Sequence, residues 1–259
     1  MPLKYGVITL TLMLSAFVLN DCASQKPGYT IMTYNIRHGV GMDRVLDLER
    51  TARVIQAANP DFVILNEVDH GTGRAFGILQ ADSLGKRLDM SAVFGRSIDY
   101  DGGEYGNALL SRYPIINFHI IDLSVDSLAE GRSLFISRIN LDGDTLIVMG
   151  THLGLRPDER LAQVHRIMDI LPHGKPILLC GDFNFEPDSQ PYSVIAKKLR
   201  DGILNTRSLP QMTFPADSPD RRIDYIFVND GIDVLSSRQV DHLDVSVASD
   251  HLPLILNFK

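Results

Sequence analysis

The sequence predicts one α/β domain with mixed β-sheets, and three observations point to it. Strand and helix alternate early in the chain. Hairpin-linked strands fill the middle. Short apolar runs in both halves end in the same kind of polar punctuation. The 259 residues suffice for one large domain or two, and after residue 28 no repeat, low-complexity tract or linker divides them.

Tyr29 to Tyr34 alternates, is rich in β-formers and leads into Asn35-Ile36-Arg37-His38-Gly39. Leu48, Ala52 and Ile55 recur at helical spacing, with Asp47 placed to cap and Pro60 to stop the helix. Phe62 to Leu65 reads as a buried strand ending in Asn66-Glu67-Val68-Asp69, followed by a glycine-rich loop over 70–77. Ala81, Leu84 and Leu88 mark a second helix, and Gly106 to Ser111 a short strand closed by Pro114. Strands are expected over 115–123, 133–141 and 145–150, the last two joined by the tight-turn pair Asp142-Gly143. The third strand of that group ends in Thr151-His152-Leu153.

A third helix should follow Pro157, with Leu161, Val164, Met168 and Leu171 on one face. Ile177 to Cys180 has the length of a buried strand and runs into Gly181-Asp182-Phe183-Asn184. Gly181 allows a sharp exit or a close backbone approach. Asp182 and Asn184, two apart, point the same way while the chain stays extended. A weaker helix over 192–199 and strands over 222–228, 232–240 and 252–258 complete the chain, the last just after Ser249-Asp250-His251.

Before residue 28 the reading changes. Lys4 precedes an apolar run from Val7 to Leu19, too short for a typical membrane span and suited to a signal-peptide core. Residues 1–24 are therefore expected to be a leader and 25–259 the domain. Two processing routes stay open: lipidation at Cys22, as in a bacterial lipoprotein, or ordinary cleavage after Cys22-Ala23-Ser24. Either places the mature chain in the cell envelope. The only other cysteine, Cys180, lies in the expected buried strand, so no disulfide is expected and Cys180 serves as a small core residue. The net charge of −7 disfavours a nucleic-acid binder that depends on a broad basic face.

Strand ends thus carry Asn35, Glu67, His152, Asp182 with Asn184, and Asp250 with His251. Converging acids need a cation or hydrogen-bond partners, and oxygen donors of this kind suit Mg²⁺, Mn²⁺ or Ca²⁺. The histidines can move protons or stabilise developing charge. No nucleophile elbow, Walker loop, Cys-x-x-Cys or His-Glu-x-x-His is present. Arg37, Arg74 and Arg112 could clamp a phosphate or form ion pairs.

Seven segments in order make the resemblance specific: Thr33-Tyr34-Asn35, Asn66-Glu67-Val68, Gly106 to Arg112, Thr151-His152-Leu153, Gly181 to Asn184, Arg222-Ile223-Asp224-Tyr225-Ile226 and Ser249 to Pro253. From about residue 29 to the C-terminus the chain resembles the endonuclease/exonuclease/phosphatase, or DNase I-like, family. The resemblance implies a four-layer α/β sandwich, two mixed sheets face to face with helices outside. It implies a divalent-metal-dependent hydrolase of phosphate esters, with Mg²⁺ or Mn²⁺ near Glu67, Asn35 and Asp250. Asp182 then orients or deprotonates the attacking water and Asn184 positions the phosphate. His251 is the catalytic histidine, Asp224 its carboxylate partner, and His152 contacts the phosphoryl oxygens. Asn107, Arg37 and Arg74 are candidate substrate contacts. The substrate expected is a small phosphorylated metabolite or lipid headgroup, acted on by a monomer that a lipid anchor would hold at the membrane. The alternatives are a nuclease on the same scaffold, a sphingomyelinase-like phospholipid diesterase, and a non-catalytic envelope binding protein.

Overall fold

The computed structural model describes residues 28–127, 129–141, 143–203 and 211–259; the leader and Cys22 lie outside them, as does Asp142 of the tight-turn pair. The described residues form two six-stranded mixed sheets. In the first, β1 (Tyr29–Asn35), β2 (Phe62–His70), β3 (Ser91–Tyr100), β4 (Gly103–Ser111), β11 (Val234–Arg238) and β12 (Leu254–Phe258) lie in the order β11-β12-β1-β2-β4-β3. In the second, β5 (Ile115–Asp122), β6 (Ser133–Leu141), β7 (Asp144–His152), β8 (Ile177–Asp182), β9 (Arg200–Asp201) and β10 (Asp224–Val228) lie in the order β5-β6-β7-β8-β10-β9. Helices α1 (Leu48–Ala58) and α2 (Gln80–Leu88) belong to the first sheet, α3 (Pro157–Asp169) and α4 (Gln190–Ile195) to the second.

Three apolar clusters separate four layers. Between the sheets lie Ile31, Ile64, Phe135, Val148, Cys180, Ile226 and Leu256. Val54, Ile55, Ala81 and Leu84 seal α1 and α2 onto the outer face of the first sheet. Val164, Ile167, Phe183 and Tyr225 seal α3 and α4 onto the second. Phe183 is fully buried against Phe185, Tyr225 and Phe227; burial of one such ring contributes about 1.5–3 kcal/mol. The helix next to the site is partly polar inside. Glu159 and Gln163 are buried on α3, whereas Leu161 is only half-buried, so the inward face is rotated from the apolar stripe expected.

Local chemistry sets the boundaries. The Asp47 side chain accepts from Arg50 N and caps α1, which ends at Asn59 in the left-handed region. The Leu141–Asp144 pairing leaves two residues for the hairpin turn, as the Asp-Gly pair predicts. β2 does not stop at Leu65. A register shift between Leu65 and Val68 lets it continue to His70, with Glu67 at φ +57° on the irregular stretch.

Strand direction positions the site. β1 and β2 are parallel, with Asn35 beside Asn66, and β7 and β8 are parallel, with His152 beside Asp182. The C-terminal ends of β1, β7 and β8 and the irregular stretch of β2 therefore present polar residues at one edge of the sandwich, where α/β sheets bind ligands. β10 runs antiparallel to β8, so its first residue, Asp224, faces Asp182. β12 runs antiparallel to β1, which brings the preceding Ser249-Asp250-His251 over Asn35, and Ser249 Oγ donates to Asn35 O at 2.7 Å.

Candidate active site

Asp182 is the hub. Its carboxylate is almost fully buried. Its Oδ2 accepts from Asn35 Nδ2 at 3.0 Å and lies 3.5 Å from His152 Nε2 and 3.6 Å from His251 Nε2. Its Oδ1 accepts from Asn184 N at 3.0 Å, and its own amide donates to Asn66 Oδ1 at 2.9 Å. Gly181, just before it, has φ +141°, and a Cβ there would stand 1.9 Å from Thr151 O. Glycine is thus the residue that lets β8 press against β7 where both strands deliver site residues.

His251 Nδ1 donates to Asp224 Oδ2 at 2.9 Å. Burial alone would lower the His251 pKa, but Asp224 and then Asp182 outweigh it and lift the ring to about 10. Burial likewise pushes Asp182 up to about 7, opposed by the His251 charge and reinforced by Asp224. His152 moves the other way: burial, then the Arg132 charge, holds it well below its ordinary value and therefore neutral.

Asn35 links two acids, because Nδ2 donates to Glu67 Oε1 and to Asp182 Oδ2, both at 3.0 Å. Its Oδ1 accepts from Arg37 N at 3.0 Å, which fixes the amide orientation. Burial raises the Glu67 pKa, with Asn35 opposing and the Asp250 charge adding to the rise. A carboxylate whose charge is opposed by burial and a second carboxylate is the donor set a hard divalent cation matches. Glu67 and Asp250 would hold it, with Asn35 aiming Glu67. A divalent cation there would neutralise negative charge beside the hub. Donor atoms of Asp182, Asp224 and His251 also lie within 4.8 Å of one another. Within that trio the 2.9 Å His251–Asp224 hydrogen bond places a proton on His251 Nδ1.

The remaining expected residues are placed as follows. Asn184, at φ +53°, spends its side-chain amide on Leu153 O at 2.9 Å. Buried Asn107 accepts from Asn66 Nδ2 at 2.7 Å, and its own nitrogen has a long 3.5 Å contact to Ser133 O. Arg37 Nε lies 3.4 Å from Asp250 Oδ2 at the rim. Arg74 grips buried Asp69 through two bonds of 2.7 and 2.8 Å and lies over the Tyr100 ring, so its guanidinium is already engaged. Arg112 is far from the hub, bound to Pro60 O and Asn59.

Three residues without a role in the sequence reading stand here. Asn66, with bonds to Asn107, Thr151 O and Asp182 N, ties the two sheets together beneath the hub. His38, at φ +45°, places a buried Nδ1 that has no hydrogen-bond partner 4.0 Å from Glu67 Oε2. Arg132 is almost fully buried, and its Nη1 contacts His152 Nδ1 at 3.3 Å. Its loop position, next to Gly131 and outside any periodic run, offered no sequence signal; the positive-φ His38 offered only its place after Asn35.

The chain matches the profile of the Endonuclease/Exonuclease/phosphatase family over residues 32–251. It is 31% identical over 251 residues to Uncharacterized protein YbhP of Escherichia coli (strain K12), covering 89% of this chain and 96% of that protein. Its structure is similar to that of an endonuclease/exonuclease/phosphatase from Beutenbergia cavernae DSM 12333, with TM-score 0.74 and 27% identity over 89% of this chain and 71% of that one. The fold is shared with the mannosyl-6-phosphatase Bt3783 of Bacteroides thetaiotaomicron VPI-5482, at TM-score 0.73 and 19% identity over 89% of this chain and 99% of that one.

Proposed function

Because the chain belongs to the endonuclease/exonuclease/phosphatase family, a family of phosphoester hydrolases, we propose that it hydrolyses a small phosphorylated metabolite or lipid headgroup with the help of a divalent cation. The observation that carries this reading is the hub itself. One buried carboxylate, Asp182, lies 3.5 and 3.6 Å from the Nε2 atoms of two histidines, with Asn35 joining it to Glu67. Such a group can orient a water for in-line attack on phosphorus and accept its proton, since burial raises its basicity above that of an ordinary carboxylate. His251, kept charged by Asp224, stabilises negative charge on the phosphoryl group or the leaving oxygen. His152 would face the phosphoryl oxygens, whereas Asn184, its amide donating to Leu153 O, would act through its backbone bond to Asp182. The cation supplies further charge neutralisation on the Glu67 and Asp250 side.

Charge favours a compact substrate over long DNA. Duplex binders neutralise several phosphates with Lys and Arg. Here the net charge is −7, Arg37 is partnered by Asp250, and Arg74 is held by Asp69. The experiment is a panel: a chromogenic phosphomonoester, a chromogenic phosphodiester, plasmid DNA and sphingomyelin, each with Mg²⁺ and with chelator. Turnover of a small ester or of sphingomyelin supports the proposal. Efficient plasmid nicking at physiological salt without turnover of either would replace it with the nuclease reading.

A further inference from the structure

We propose that Arg132 is a positioning residue: by donating to Nδ1 of His152 it fixes the ring proton on Nε2, making His152 a hydrogen-bond donor toward Asp182 and the phosphoryl oxygens. The part about phosphoryl oxygens rests on the proposed hydrolysis; the tautomer itself does not.

A guanidinium has only N–H donors and no lone pair to offer. Arg132 Nη1 faces His152 Nδ1 at 3.3 Å, so Nδ1 must present its lone pair. The proton of the neutral ring then sits on Nε2, 3.5 Å from Asp182 Oδ2. The opposite tautomer would set two N–H groups against each other at Nδ1 and a lone pair against a carboxylate at Nε2. The imidazolium would keep the first of those clashes.

Arg132 is well fixed for this task. The same Nη1 also meets Glu130 Oε1 at 2.7 Å, and the side chain is almost wholly buried. Leu123 N donates to its carbonyl at 2.8 Å. β6 begins at the next residue, and pairing of Leu134 with Thr151 brings this segment against His152. The Nε–H of Arg132 is buried without a hydrogen-bond partner among the described residues. An ion pair needed only to tether the loop to Glu130 would not require the guanidinium to reach across to β7.

The pattern mirrors the other histidine. Asp224, an acceptor, stands behind Nδ1 of His251, whereas Arg132, a donor, stands behind Nδ1 of His152. One ring is thereby held charged and the other neutral with its single proton aimed at the hub.

The test is nitrogen NMR of the full chain labelled with ¹⁵N-histidine at pH 7, with His152 assigned by loss of its signals in His152→Gln. The wild type should show one neutral His152 tautomer, protonated on Nε2. Arg132→Met should lose that preference and lower kcat for the best small ester by roughly 10²-fold, with KM little changed. Arg132→Lys, which restores a donor, should recover much of both. A wild-type His152 that is protonated on Nδ1 or doubly protonated would overturn the proposal, as would folded Arg132→Met with an unaltered tautomer. If Arg132→Met does not fold, the wild-type spectrum and Arg132→Lys decide. An Nε2–H spectrum in a protein that turns over no phosphoester would uphold the tautomer and remove the hydrolase reading alone.

Discussion

Nε2 of His152 and Nε2 of His251 lie 3.5 and 3.6 Å from the same oxygen, Oδ2 of Asp182, yet their surroundings shift the two rings' pKa values in opposite directions. The difference originates behind the rings, in Arg132 and Asp224. It gives the hub one neutral donor and one cation, and its consequences can be measured.

The first concerns pH. In the fold the His251 pKa rises from 6.5 to about 10, because Asp224 and Asp182 outweigh burial. A base held charged in this way stabilises the fold fully below pH 6.5, and the contribution fades as pH rises through 10. Asp224→Asn should therefore destabilise most below pH 6.5 and progressively less toward pH 10. Urea unfolding of both proteins in chelator across that range reads the gap. A gap that stays constant or widens with pH is incompatible with a charged His251.

The second concerns Asn35. Its amide donates to Glu67 and Asp182 at once, so it aims the carboxylate assigned to the cation. Asn35→Ala should weaken Mn²⁺ binding by roughly 10–100-fold, the usual cost of losing a group that orients a ligand. Calorimetric titration of Mn²⁺ measures this without any substrate. Unchanged affinity in a folded variant would remove Glu67 from the metal site or Asn35 from its support.

The sequence revealed the ends of the strands better than what joins them. Tyr29–Asn35, Ser133–Leu141 and Ile177–Asp182 were legible because β-rich or apolar runs closed on polar residues. Ser91–Tyr100 was not, since an edge strand with half-buried residues and Gly95 lacks a clean alternation. The continuation of β2 past Leu65 was hidden because its irregular stretch reads as a polar strand terminus. Asn66 looked like the same punctuation, although it is a buried amide spanning two sheets. Arg132 was invisible for a different reason: its partner His152 is 20 positions away, and only the β6–β7 pairing brings them together.

A third prediction concerns the leader, which lies outside the described residues. Lys4, the apolar run from Val7 to Leu19 and Cys22 motivate export and anchoring. The mature chain should fractionate with the envelope, and Cys22→Ser should release it in soluble form. Cytoplasmic protein that retains Met1, seen by mass spectrometry, would contradict export.

In the proposed reaction Asp182 supplies the charge that readies water at a metal-assisted phosphoester site. The most direct measurement is turnover of the best small ester by wild type and Asp182→Asn, side by side in Mg²⁺ and in chelator. Asn keeps the shape and the hydrogen bond from Asn184 N but cannot accept the proton. Wild-type turnover should depend on Mg²⁺ and vanish in chelator, and the folded variant should be slower by roughly 10²-fold or more. A folded Asp182→Asn that keeps near-wild-type kcat, or wild-type turnover undiminished in chelator with metal content verified as nil, would contradict this.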